Sequence, residues 1–111
     1  MMGKFVITKS ENGSFHFNLK AANGEIVLTS ESYNSKAACE NGMESVRKNA
    51  SEDSNYDRKE SSIGKPYFNL KAANHQVIGT SEIYSSAASR DKGIESVKNN
   101  ATEATIDDQT A

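Results

Sequence analysis

Few side chains in this 111-residue chain have types and spacing suited to chemistry. There are two histidines, one cysteine, and a set of polar residues that occurs twice in the same order. A general base or a metal site needs converging partners. His16 sits in an alternating strand pattern and His75 in a turn pattern, so the two do not form one site. Cys39 is the only thiol, which excludes an internal disulfide and a thiolate cluster. It shares a helical spacing with Gly42, Met43 and Val46. A small packing residue fits that place better than a nucleophile, which would need a lowered pKa and a neighbouring base. No phosphate-cradling glycine loop, metal-ligand spacing or nucleophile elbow is present. No catalytic residue, metal or cofactor is therefore expected.

The duplicated polar set is Asn18 and Lys20 in one copy and Asn69 and Lys71 in the other. On the open side of a sheet, these residues could receive an anionic or hydrogen-bonding partner. They could equally be a solvated face whose lysines are satisfied by cross-strand pairs. A second set, Glu31 and Tyr33 with Glu82 and Tyr84, follows Ser30 and Ser81 where each strand run gives way to a helix pattern. It could form a polar rim beside the axis relating the copies. Its structural reading is a glutamate near a helix N-terminus, a capping serine and a packing tyrosine.

These residues need positioning, and the chain does it twice. Phe17-Asn18-Leu19-Lys20-Ala21-Ala22-Asn23 returns intact at Phe68–Asn74, an offset of 51. Over Phe17–Ala50 against Phe68–Ala101 there are 19 identities in 34 pairs, so the chain is an internal duplication. We divide it into repeat 1 (4–51), repeat 2 (55–102) and a closing segment (103–111) holding a short strand and a frayed tail, all within one domain of 1–111. Two units closing about a pseudo-two-fold axis are the natural arrangement.

Within each unit the hydrophobic period changes from two to 3.6. Phe5–Thr8 reads as a strand, and Asn12-Gly13 is a turn signal. Phe15, Phe17 and Leu19 then alternate with His16, Asn18 and Lys20. Asn23-Gly24 predicts a type I′ hairpin turn leading into Ile26–Thr29. In the second unit Tyr56–Glu60 is charged, as suits an edge strand. Pro66 replaces Phe15, His75 replaces the turn glycine, and Gly79 marks a bulge or close approach. Cys39, Gly42, Met43, Val46 and Ala50 form one helical stripe, repeated by Gly93, Ile94, Val97 and Ala101. Ser35 and Ser86, or the residue before each, are the expected N-caps. Glycine inside both helices suggests close approach to the sheet. The prediction is an α+β fold: two β-β-β-α(-β) units forming one antiparallel sheet with both helices on one face.

The block FxFNLKAxNG…SExYxS…NGxxSVxxNA, complete in the first copy and read again in the second but for Pro66, His75 and Lys92, resembles the YegP-like family of small bacterial proteins. That resemblance implies exchange of terminal strands between the units, and it carries no catalytic or binding residue. Bulk properties narrow the function classes further. Net charge is −2 with a pI near 5.7, so no basic excess exists to drive nucleic-acid binding. Hydrophobic residues are 35%, and no run reaches membrane-spanning length, so a membrane role is not expected. The N-terminus has no apolar signal core, which with the single cysteine leads us to expect a cytoplasmic protein. We expect a non-enzymatic binding or protein-interaction module, a monomer with an internal pseudo-dimer, whose partner is a protein or a small polar ligand. The alternatives are a metabolite site or small enzyme at the seam between repeats, and weak nucleic-acid binding.

Overall fold

A computed structural model describes residues 3–110. In chain order the elements are β1 (Lys4–Lys9), β2 (Phe15–Lys20), β3 (Ile26–Thr29), α1 (Lys36–Asn49), β4 (Tyr56–Glu60), β5 (Pro66–Lys71), β6 (Val77–Thr80), α2 (Ala87–Ala101) and β7 (Thr105–Asp108). A short 3₁₀ turn, Asp53–Asn55, connects α1 to β4. The seven strands form one sheet in the order β4-β5-β6-β3-β2-β1-β7. Its centre is the β3–β6 pair, where Thr29 opposes Thr80. A pseudo-two-fold axis at that pair relates each residue of one repeat to the residue 51 positions away in the other.

All four hairpin turns close alike. Gly24 N–H donates to Ala21 O and Ala21 N–H to Glu25 O, at 2.9 Å each, with positive φ at Gly24 alone. This is a type I turn followed by one left-handed residue, in place of the expected type I′ turn. His75 takes the left-handed position in its hairpin, at φ 69°, with the same hydrogen bonds. Replacing glycine thus left the turn geometry intact.

Each third strand carries a bulge. Leu19 pairs with Leu28, but Lys20 pairs with Ile26, and the second repeat matches with Leu70–Gly79 and Lys71–Val77. The extra residue turns Val27 and Leu28, and likewise Ile78 and Gly79, towards the same side. Strict alternation would have sent Val27 and Ile78 to the open face; instead they join the core. Gly79 is a site of close approach: a Cβ there would lie 2.6 Å from Leu28 Cγ.

Both helices cover one face of the sheet. Phe5, Phe17, Leu19, Phe68 and Leu70 meet Met43, Val46, Ile94 and Val97 in a fully enclosed core. Ser35 and Ser86 cap the helices, each Oγ accepting a backbone N–H at 3.1 Å. The sheet is antiparallel except at one edge. There β7, which follows α2, crosses to the first repeat and pairs in parallel with β1. That parallel pair corrects the all-antiparallel expectation, and the crossing runs one way only. The segment after α1 continues straight into β4.

Candidate functional site

The open face carries a row of residues in register across the sheet: Asp57, Asn69, Thr80, Thr29, Asn18, Val6 and Asp107. Asn18 and Asn69 are separated by Thr29 and Thr80. Lys20 and Lys71 lie two residues further along antiparallel strands, so they diverge from the axis in opposite directions. With strand spacing near 4.8 Å and a rise near 3.3 Å per residue, their Cα atoms are roughly 20 Å apart. The duplicated lysines share a face but do not converge on one anion.

The two halves of this face also differ in how far they satisfy themselves. Lys71 lies 3.2 Å from Asp57 and Lys59 lies 3.5 Å from it. The Lys71 hydrogen bond holds the Asp57 carboxyl below the usual carboxylate range. Thr80 donates its hydroxyl to Asn69 Oδ1 at 2.9 Å. In the first repeat Val6 stands where Asp57 does, and Lys20 has no ion pair among the described residues. His16 is occupied by Thr8, with 2.8 Å between Nε2 and Oγ1.

The junction residues are placed by packing. Tyr33 N–H donates to Phe15 O, and its ring stacks on Phe17 with centroids 6.4 Å apart. Tyr84 repeats this on Phe68 at 6.3 Å. The phenol ends rest on Gly42 and Gly93, which explains the glycine in each helix. Burial raises both tyrosine pKa values. Ser30 and Ser81 accept the N–H of Phe17 and Phe68, so they stitch the junction to the neighbouring strand and cap no helix. Glu31 and Glu82 are exposed. The rim is scaffold at its tyrosines and solvated at its glutamates.

Nothing reactive is poised among the described residues. Cys39 is buried, and burial pushes its thiol up to about 11. Among the described residues, no group of three His, Cys, Asp or Glu side chains is gathered as metal ligands, and no helix is long and apolar enough to cross a membrane.

Two features escaped the reading of polar patterns. One is a groove of about 630 Å³ between the β2–β3 turn of the first repeat and α2 of the second. Its lining includes Asn100, whose buried Oδ1 has no hydrogen-bond partner among the described residues. The other is an asymmetry of the sheet edges. The outer edge of β1 is covered by β7, whereas its symmetry counterpart, β4, ends the sheet. Conservation of Asn49 and Asn100 between the repeats was a signal for the first. The second depends on strand order, which no local pattern encodes.

The chain is 60% identical over 110 residues to a UPF0339 protein of Acinetobacter baylyi, with 99% of each chain covered. It is 53% identical to the UPF0339 protein YegP of Escherichia coli K12 over 99% of this chain and 100% of that one. The solution NMR structure of a UPF0339 protein from Shewanella oneidensis superposes with a TM-score of 0.93 at 52% identity, covering 99% of this chain and 93% of its own. That of yegP from E. coli, described as a protein of unknown function, gives 0.94 at 52% identity, covering 100% and 96%. The family model "Domain of unknown function (DUF1508)" matches twice, at residues 10–57 and 61–108, and the chain belongs to that family as a tandem-repeat, YegP-like member.

Proposed function

We propose that this protein is a non-enzymatic interaction module that binds an extended segment of a partner protein along the outer edge of β4. The observation that carries this reading is the asymmetry of the two sheet edges. Backbone groups of β1 that face outward are used by β7: Thr105 N–H donates to Gly3 O and Gln109 N–H to Ile7 O. The 51-residue symmetry assigns the same outward orientation to Tyr56, Arg58 and Glu60 on β4. Strand addition at a free edge derives affinity from main-chain hydrogen bonds and specificity from alternate side chains. In the segment that already binds this way, Ile106 lies beside Phe5, and Asp107 and Asp108 pair with Lys4 and Lys36. A partner on β4 would place an apolar residue beside Tyr56, as Ile106 sits beside Phe5. The charges of β4 suit an edge that avoids indiscriminate pairing.

The test is selection of displayed decapeptides on the folded protein, followed by titration of the winning peptide into ¹⁵N-labelled protein. Amide shifts should concentrate on Tyr56, Arg58 and Glu60. Arg58→Pro, which removes an outward N–H while keeping the ladder to β5, should abolish binding. Arg58→Ala, which keeps that N–H, should retain it. Shifts on another surface, or equal binding by both variants, would refute the edge.

A further inference from the structure

The segment already bound at one edge shows what a segment at the other must satisfy. On β1, Ile106 and Asp108 of β7 stand beside Phe5 and Ile7 on the helix-covered side, and Asp107 stands beside Val6 on the open side. Lys36 receives Asp108, and Lys4 receives Asp107. The 51-residue symmetry carries Phe5 onto Tyr56 and Ile7 onto Arg58. It also removes both lysines: Lys4 becomes Asn55, and Lys36 becomes Ala87. Cys39 becomes Arg90. Ile7 and Cys39 are fully enclosed in the first repeat, so the fold itself accepts apolar side chains at both places. The second repeat puts two guanidinium groups there instead.

Arg58 and Arg90 converge on a single atom. Each directs its Nε–H to Asp91 Oδ1 at 3.3 Å. Asp53 Oδ1 is shared as well, by Arg58 Nη2 at 3.1 Å and Lys98 at 3.0 Å. Lys98 also has Glu95 at 3.2 Å, which leaves the two arginines as the pair short of an anion. Arg90 makes no other side-chain hydrogen bond among the described residues, and its side chain is only 16% exposed. Building on the β4-edge reading, we infer that the partner segment lies parallel to β4, with an apolar residue beside Tyr56 and, two residues later, a carboxylate side chain received by Arg58 and Arg90. Arginine suits this role because its fork of N–H groups meets a carboxylate at two points. The residue between the two stands beside Asp57 on the open face, where a like charge is unfavourable.

The probe is a capped peptide with the sequence of Thr102–Thr110 in which Asp107→Thr removes the middle acid; its control also carries Asp108→Asn. In ¹⁵N-labelled protein the first should shift the Tyr56, Arg58 and Glu60 amides saturably. The second should bind about tenfold or more weakly, a loss of about 1.4 kcal/mol. Arg58→Ile with Arg90→Ala returns apolar side chains as in the first repeat, so the protein should still fold, and it should bind both peptides equally. Lys59→Ala, which removes a cation from the other face of the same strand, should keep the preference for the acid. A nitroxide on the peptide N-terminus should broaden Asn55 more than Glu60, and the reverse would overturn the parallel orientation. Equal binding of both peptides at the β4 amides of the wild type would overturn the acid requirement and leave the edge standing. So would a preference that survives loss of both arginines. Silence from both peptides, or shifts confined to β1, would overturn the edge and this inference with it.

Discussion

Replacing Gly42 by alanine should destabilise this protein, although it removes a glycine from the middle of a helix. Helix propensity alone favours the change by about 1 kcal/mol. The new Cβ, however, would lie 2.7 Å from Tyr33 Cζ and 3.2 Å from Phe17 Cε2. Phe17 is fully enclosed and cannot yield; Tyr33, half-buried, must leave its place. Its departure forfeits the stack on Phe17, about 0.5–1.5 kcal/mol, and half of a large side chain's burial, about 1–1.5 kcal/mol. The balance is a net loss of about 0.5–2 kcal/mol, a fall in Tm of about 3–12 °C for a domain of this size. Urea and thermal unfolding followed by far-UV circular dichroism would measure it. In a Tyr33→Ala background the ring is gone and only the 3.2 Å approach to Phe17 Cε2 still opposes helix propensity, so Gly42→Ala should then stabilise. The pair Gly93 and Tyr84 offers the same experiment again within one molecule, because its geometry is the same. An unchanged or raised Tm for Gly42→Ala, or no reversal of sign without the tyrosine ring, would refute the reasoning.

Two further outcomes follow from titratable groups. The Lys36 ammonium, then the Thr110 bonds, hold the Asp108 carboxyl down to about 2. A depressed folded-state pKa contributes stability that is present above the unfolded value near 4 and is lost as pH falls towards 2. The amide signals of β7 should therefore collapse between about pH 4 and pH 2 before those of β2 and β5, with that window absent in Asp108→Asn. Native β7 signals at pH 2 would contradict this. Cys39 is fully enclosed with a raised thiol pKa, so a colorimetric thiol reagent at pH 8 should label it only at the rate of unfolding. Immediate stoichiometric labelling of the native protein would show the packing role to be wrong.

What could be read from the sequence was whatever local spacing encodes. The 51-residue repeat, the alternation of Phe17 and Leu19 with Asn18 and Lys20, and the stripe through Met43 and Val46 each specify a face of an element. Those faces are the ones the structure uses. The bulge that turns Val27 and Ile78 inward was signalled only at Gly79 in the second repeat, because neighbouring apolar residues fit either side of a strand. The turn at Asn74-His75 looked weakened, but only one residue there must adopt positive φ, and His75 does so. The distance between Lys20 and Lys71 was invisible for another reason. Which strands lie between them is a property of sheet order, and it converts an apparent pair of ammonium groups into two separate ones. The same order made the tyrosines of the junction scaffold, since only the folded chain brings Tyr33 against Gly42.

The open edge and the unsatisfied amide trace to a single break in symmetry. Two copies of one unit should satisfy each backbone edge and each buried amide in the same way. The chain cannot do so, because α1 leads through the turn at 53–55 into β4, while α2 leads into a strand that lies alongside β1. The turn after α1 brings Asn55 to Asn49, and nothing in β7 brings a donor to Asn100. Conversely, β7 covers β1, and no described segment covers β4. One repeat thus keeps an open edge and a satisfied amide; the other keeps a covered edge and an unsatisfied amide. Asn100 keeps its bond from Nδ2 to Ser96 O, as Asn49 does to Ser45 O, and lacks only the donor at position 4. Lys4→Asn, which returns that carboxamide, and Lys4→Ala, which does not, should therefore part company in thermal stability, the first being the more stable.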